Sequence, residues 1–301
     1  MRIVFLFLIC MISCGSAQTL DQGHALGADD IAGFEIPLSF DGGFPYVVLL
    51  AEADSIELFL DTGAGDIRIG LMPETIRALR LKETGRTRTL KTHYGKIRYK
   101  RVVLPEACLG GIVFRDLACD RVAEQANPLF ARRGILGLAL FRSFNVLIDY
   151  PGSRLVLFKP GTYPADFDPT MWNRIPSQDH PDGIMMRGTP EGLSKELTWC
   201  LDTGAIARDP GQTRYYNIIR KKHVKGIAGL KERDGMAFSE DISFRSGPAI
   251  LDSLNFLAYD FKEPGGIDGF LGADFFFKHR VLVDFQNQVV WIKTREKIVD
   301  D

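Results

Sequence analysis

The chain has 301 residues, Lys plus Arg 37 against Asp plus Glu 38, a formal net charge of -1 at pH 7 and 46% hydrophobic residues. That hydrophobic content suffices for the packed cores of one large or two ordinary domains and excludes a disordered polypeptide. The balanced charge gives no global attraction for polyanions, so no nucleic-acid partner is expected.

The N-terminus, MRIVFLFLICMISCGSAQT, sets Arg2 before an apolar run from Ile3 to Ile12 and then small residues. That is the order of a secretory signal, here residues 1–17, and the run is too short to span a bilayer. Met11 to Gly15 also resembles a bacterial lipoprotein signal, in which Cys14 is lipidated and becomes the first residue; the competing cut follows Ala17. Both branches predict export to the periplasm or cell envelope of a bacterium, and one adds membrane attachment through a lipid on Cys14.

Beyond the signal, short β-rich runs dominate. They fall at 46–51, 56–60, 96–104, 145–149 and 154–158, then around Met185 and at 197–201, 280–285 and 289–293, separated by turn signals such as "FDGG", "YPGS" and "FQNQ". Helical spacing is confined to Pro73–Leu81, with Pro at its start, and to Gln212–Lys222. The stretch 159–183 holds five prolines and little apolar pattern. It reads as a linker, 161–182, between a lobe at 34–160 and another at 183–295. Cys108 and Cys119 either close a short disulfide loop in an exported protein or pack as two unlinked small hydrophobes. No Cys or His spacing suits a metal site, and neither a metal nor a cofactor is expected.

The two lobes are written in the same order. "FLDTGA" from Phe59 returns as "CLDTGA" from Cys200, 141 positions later. Gly134 and Gly137 of "GILG" return as Gly269 and Gly272 of "GFLG", and Leu147 to Tyr150 return as Leu282 to Phe285, both at an offset of 135. Ile36-Pro37 precedes Asp61 by 25 residues and Ile175-Pro176 precedes Asp202 by 27; "LACD" at Asp120 is echoed by "LAYD" at Asp260. A duplication of one domain explains the repeated Asp-Thr-Gly-Ala and the four landmarks around it.

An aspartate that ends a buried strand needs compensation. A following Gly lets backbone N–H groups approach the carboxylate, and Thr carries a hydroxyl able to tie its loop to a partner. If two homologous lobes pack about a pseudo-two-fold axis, Asp61 and Asp202 meet there. Two carboxylates about 3 Å apart would repel by about 5 kcal/mol at an effective dielectric of about 20, so the pair holds one proton. One carboxyl is then a base and the other an acid.

These residues give the chain its resemblance to bilobal aspartic peptidases, each half being similar to a bacterial retropepsin-like domain. The resemblance runs from about Ile36 to Lys293. It implies a mainly β protein of two homologous, closed, barrel-like lobes of the acid protease fold, related by a pseudo-two-fold axis. It also implies an endopeptidase in which a water held between Asp61 and Asp202 attacks the peptide bond of a protein or peptide substrate, without covalent intermediate, metal or cofactor. Thr62, Gly63, Thr203 and Gly204 support the dyad in that reading, and the chain is a monomer carrying both lobes. The family's β-hairpin flap falls at Thr92–Tyr99, with Tyr94-Gly95 at its tip; a plain hairpin turn is the alternative. The basic residues around it (Arg86, Arg88, Lys91, Lys96, Arg98, Lys100, Arg101) either favour acidic substrates or form a solvated strand face. Ala64 and Ala205 follow the motif glycines where pepsin-type enzymes carry a hydroxyl, which implies a mildly acidic rather than strongly acidic optimum. A second reading keeps the fold and loses turnover, leaving a binding or scaffold lipoprotein of the envelope. A serine hydrolase is disfavoured because no Gly-x-Ser-x-Gly is present, and HExxH is absent as well.

Overall fold

The structure, a computed structural model, describes residues 18–20, 33–51, 54–92, 95–122, 132–208, 214–261 and 266–294, with backbone alone at 18–20, 90–92 and 95–97. In the first half the strands Phe44–Ala51, Asp54–Asp61, Gly134–Gly137, Ile69–Leu71, Ile112–Arg121 and Gly95–Leu109 pair in that order, and the last returns to the first through Leu50 opposite Cys108. The ring is closed. In the second half Gly183–Pro190, Leu197–Leu201, Gly269–Leu271, Tyr215–Arg220, Ala249–Tyr259 and Met236–Ser246 do the same, closing through Thr189 opposite Arg245. Closure removes the strand edges that an open sheet of this length would expose.

Between the barrels lies one shared antiparallel sheet with three strands from each half, in the order Phe34–Pro37, Arg154–Phe158, Asn145–Asp149, His279–Asp284, Val289–Thr294 and Asn173–His180. At its centre Leu147 stands opposite Leu282, its own counterpart in the repeat. A residue faces its own copy only beside a two-fold axis, so the axis passes here. This also explains why 145–149 and 154–158 read as unbroken apolar runs rather than alternating ones. All five residues of Asn145–Asp149 are buried, as are all but Arg154 in the neighbouring strand. Outer strands alternate instead: in Phe44–Ala51, Val47, Leu49 and Ala51 are buried while Val48 and Leu50 face solvent. Each Leu, Ile or Val buried in this way contributes roughly 1.5–3 kcal/mol.

Two expectations change, and one open alternative closes. The segment 212–222 is not a helix: its described part is the strand Tyr215–Arg220, followed by a short 3-10 turn at Lys221–His223. "YYNIIR" is aromatic and β-branched, and pairing with both Phe256–Tyr259 and Gly269–Phe270 overrides its weak helical spacing. The proline-rich stretch after 160 holds a 3-10 turn at Pro169–Met171 and then the strand Asn173–His180, whose first half joins the shared sheet and whose second half pairs with Gly183–Pro190 of the second barrel. Pro176, which has no N–H to donate, stands where the strand passes from one partner to the other, a place that tolerates it. Cys108 lies opposite Val113 and Cys119 opposite Val102, and no disulfide joins them. Burial pushes the Cys119 thiol well up, the packed-hydrophobe alternative. The helix at Pro73–Ala78 does form, with Pro73 in its first turn, Glu74 near its start and Arg77 near its end, all complementary to the helix dipole or geometry. It stops short of Leu81, because Arg80 takes a left-handed φ of 53°.

Candidate active site

Each aspartate closes a strand of its barrel beside the crossing strand of its own lobe. Asp61 ends Asp54–Asp61 with Gly137 beside it in parallel register, and Asp202 follows Leu197–Leu201, its N–H bonded to Leu271 O at 3.0 Å. The loop then turns tightly: Ala64 N donates to Asp61 O (3.2 Å) and Ala205 N to Asp202 O (3.0 Å). Behind each turn sits the last glycine of the repeated motif. A Cβ on Gly137 would lie 2.4 Å from Ile67 O and 2.7 Å from Ala64 O, and one on Gly272 would lie 1.9 Å from Ala205 O. Only a residue without a side chain lets the crossing strand approach the loop so closely, which is the physical content of "GILG" and "GFLG".

The two loops are bolted together by their threonines. Thr62 N donates to Thr203 Oγ1 at 2.9 Å and Thr203 N to Thr62 Oγ1 at 3.0 Å, while Thr62 Oγ1 donates to Leu201 O and Thr203 Oγ1 to Leu60 O, each at 2.9 Å. Both threonines are buried, so each hydroxyl satisfies backbone of the opposite lobe. The glycines complete the arrangement. A Cβ on Gly63 would fall 2.5 Å from the Asp202 carboxyl carbon, and one on Gly204 would fall 2.7 Å from Asp61 Oδ1. Each carboxylate therefore reaches across the axis over the glycine of the other lobe, and Asp61 and Asp202 stand side by side.

Their electrostatics are unequal. Burial raises both carboxyls, and Asp61 goes well above the usual range because it also faces the charge of Asp202. Asp202 is held lower by N–H donors, Gly204 at 2.7 Å foremost, and by a hydrogen bond from Asp61; Asp61 receives Ala64 N at a longer 3.1 Å. The two therefore titrate as a pair that shares one proton, with the more closely hydrogen-bonded Asp202 the better stabilised carboxylate.

Of the other sequence candidates, Gly95 pairs with Thr92 at the end of the antiparallel hairpin Glu83–Thr92 with Gly95–Leu109, and Tyr94 lies outside the described residues. Of the basic residues of that hairpin, Arg88, Arg98, Lys100 and Arg101 are engaged by neighbours. Lys100 pairs with Glu83 (2.9 Å), Arg98 donates to Thr87 (3.1 Å), and Arg88 donates to Asp66 O (2.5 Å) while pairing with buried Asp120 (3.3 Å). Arg88 thus ties the hairpin to the loop that follows Asp61, a link the sequence did not announce, although the repeat had marked Asp120 as a landmark. Arg142 was missed as well. It binds Asp179 (2.9 Å), His180 O (2.9 Å) and Gly65 O (2.7 Å), clamping the loop after Asp61 to the first hairpin of the second lobe. Its repeat counterpart is Phe277, so comparing the halves by offset exposes an asymmetry there. Among the described residues no group of three or more His, Cys, Asp or Glu is placed to hold a metal ion, and no helix is long and apolar enough to cross a membrane.

Compared with solved structures, the chain is similar to the aspartic proteinase from Irpex lacteus, with a TM-score of 0.60 and 12% identity over 89% of this chain and 99% of that one. The chain has the bilobal acid-protease fold. At that identity the likeness speaks for the fold alone. No family model matches the sequence, and no curated protein matches it.

Proposed function

We propose that the protein is an aspartic endopeptidase that hydrolyses peptide bonds with a water held between Asp61 and Asp202. The observation that carries the reading is the meeting of the two carboxylates on cross-bonded loops; the reading puts the shared proton on Asp61. In the proposed cycle Asp202 takes a proton from the water as its oxygen attacks the scissile carbonyl, and Asp61 gives its proton to the carbonyl oxygen. When the resulting diol collapses, the proton on Asp202 passes to the leaving amine and a diol hydroxyl returns one to Asp61. Atoms and charges balance with no covalent intermediate. Gly63 and Gly204 keep the space above the carboxylates open, and Thr62 and Thr203 hold the loops so that proton transfer needs no reorganisation.

The substrate class proposed is peptide or protein, bound across the cleft between the lobes under the hairpin 83–109. Export to a bacterial envelope, with a lipid on Cys14 or cleavage after Ala17, belongs to the same proposal. Mass spectrometry of the mature N-terminus separates the two. The catalytic reading is tested with a peptide mimic bearing a central tetrahedral hydroxyl in place of the scissile carbonyl. Binding that is weakened at least a hundredfold by Asp61→Ala and by Asp202→Ala is expected; a folded protein that ignores the mimic is a binding protein on this fold.

A further inference from the structure

The strand Leu197–Leu201 has Asp202 at one end and, at the other, an open cavity of about 330 Å³. About 17 Å of strand separates the cavity from the dyad. Two turns enclose it. One joins Gly183–Pro190 to Leu197–Leu201 and brings Leu193 and Lys195; the other follows Tyr215–Arg220 and brings Lys222, His223 and Lys225. The turns are knit to each other, since Ala228 N donates to Glu191 O at 2.8 Å and a Cβ on Gly192 would fall 2.4 Å from Gly226 O. The frame is fixed before any ligand arrives.

The charges around the cavity do not balance. Lys195, Lys222 and Lys225 are exposed and, among the described residues, have no ion pair or hydrogen bond. The neighbouring acids are turned elsewhere: Glu191 accepts from Ser243 N (3.2 Å), Glu196 pairs with Arg187 (3.2 Å), and Asp268 accepts from Thr198 N (3.1 Å) and meets His223 Nε2 (2.7 Å). The carboxylate of Asp268 only accepts, so a proton of His223 sits on Nε2 and Nδ1 is the ring nitrogen left for a ligand. The first lobe holds the closed version of the same corner. By the offsets of 141 and 135, Lys195 corresponds to Asp54 and Asp268 to Arg133, and Asp54 and Arg133 are bonded to each other at 2.6 and 3.0 Å. In the second lobe acid and base have exchanged places without pairing, because Asp268 is committed to His223. What the first lobe closes with an internal ion pair, the second leaves open to an outside anion.

Three ammonium groups call for an oxyanion of more than one negative oxygen, and a neutral Nδ1 calls for a donor. A phosphomonoester offers both, since near its second ionisation, about pH 6, it carries acceptor oxygens and an O–H. Sulfate and phosphodiesters lack that O–H. The volume is at the small end of ligand pockets, more than inorganic phosphate fills and suited to a phosphate on a sugar-sized body.

We propose that this corner of the second lobe binds a phosphomonoester group, carried on a small soluble molecule or on a lipid headgroup, with Lys195, Lys222 and Lys225 on its oxygens and His223 Nδ1 on its O–H. The site does not depend on the peptidase reading. Calorimetric titration of the protein with glucose 6-phosphate in mild acid tests it, beside the double variant Lys195→Ala/Lys222→Ala, Lys82→Ala in the first lobe, and sulfate as the rival anion; melting temperatures check that the variants fold. Saturable binding is expected, weakened about tenfold or more by the double variant, unchanged in Lys82→Ala, and accompanied by a shift of His223 Nδ1 in nitrogen NMR. Sedimentation with phosphatidylcholine vesicles with and without phosphatidic acid names the source: co-sedimentation that the double variant loses assigns the lipid headgroup, and its absence beside binding of the sugar phosphate assigns the soluble molecule. No saturable binding of either phosphate probe, equal binding by the folded double variant, or sulfate bound as tightly as the phosphate overturns the proposal.

Discussion

At the scale of single residues, the site depends on four side chains from two loops, and their energetics can be separated. Thr62→Val removes a buried hydroxyl and strands both Leu201 O and Thr203 N, and Thr203→Val strands Leu60 O and Thr62 N. Each is expected to cost about 1–3 kcal/mol. The two substitutions remove different bonds, so a double-mutant cycle by chemical denaturation reads whether the loops act as one unit: the pair is expected to cost less than the sum of its parts because either loss already loosens the opposing loop, and strict additivity would mean that each loop is held independently. The dyad itself is a source of instability. Its carboxyls have folded-state values raised above the unfolded one, so the folded protein binds more protons and the pair's contribution to stability falls as pH rises through those values. Asp61→Asn removes the charge conflict. It should raise the melting temperature at pH 7, with the gain shrinking as pH falls through the dyad's range, as read by scanning calorimetry.

At the scale of elements, the glycine behind each loop is the most constrained position. Gly272→Ala places a methyl 1.9 Å from Ala205 O, a backbone atom that cannot move aside without displacing Asp202. It is expected to cost several kcal/mol in a denaturant titration and to abolish peptide cleavage, whereas Gly235→Ala, in a hairpin turn where a Cβ meets nothing within 4 Å, should be far milder in its effect on activity. What could be read from the sequence follows the same division. The aspartates, the motif glycines and the central strands were visible because each is written twice in register, and the repeat turns a weak four-residue string into a placed pair. The strand Asn173–His180 was hidden because prolines, read as linker, also suit the point where a strand changes partners. Tyr215–Arg220 was misread because a six-residue apolar run carries little periodicity, and its identity is set by partners distant in sequence. Arg88 and Arg142 were illegible as anchors, since arginines are common and each pairs with an acid distant in sequence and with backbone carbonyls of the Asp61 loop that no side-chain pattern announces.

At the scale of the whole molecule, the shared sheet makes the lobes interdependent. The first half alone would leave the edge of Asn145–Asp149 unpaired, and the surface it presents is that of its own copy. Residues 33–160 expressed alone are therefore expected to associate, with Leu147 facing Leu147 of a second molecule, as read by sedimentation; a stable monomer would show that the second lobe is not needed to cover that edge. The absence of hydroxyls at Ala64 and Ala205 and the raised carboxyls place the expected activity optimum in mild acid, and maximal turnover near pH 2 would contradict this. The most direct test of the account is cleavage of a peptide library by the mature protein from about pH 3 to 8, beside Asp61→Asn and Asp202→Asn. The account predicts cleavage by the parent and none by either variant. Cleavage that survives in either one, or no cleavage by folded parent protein at any pH, contradicts it.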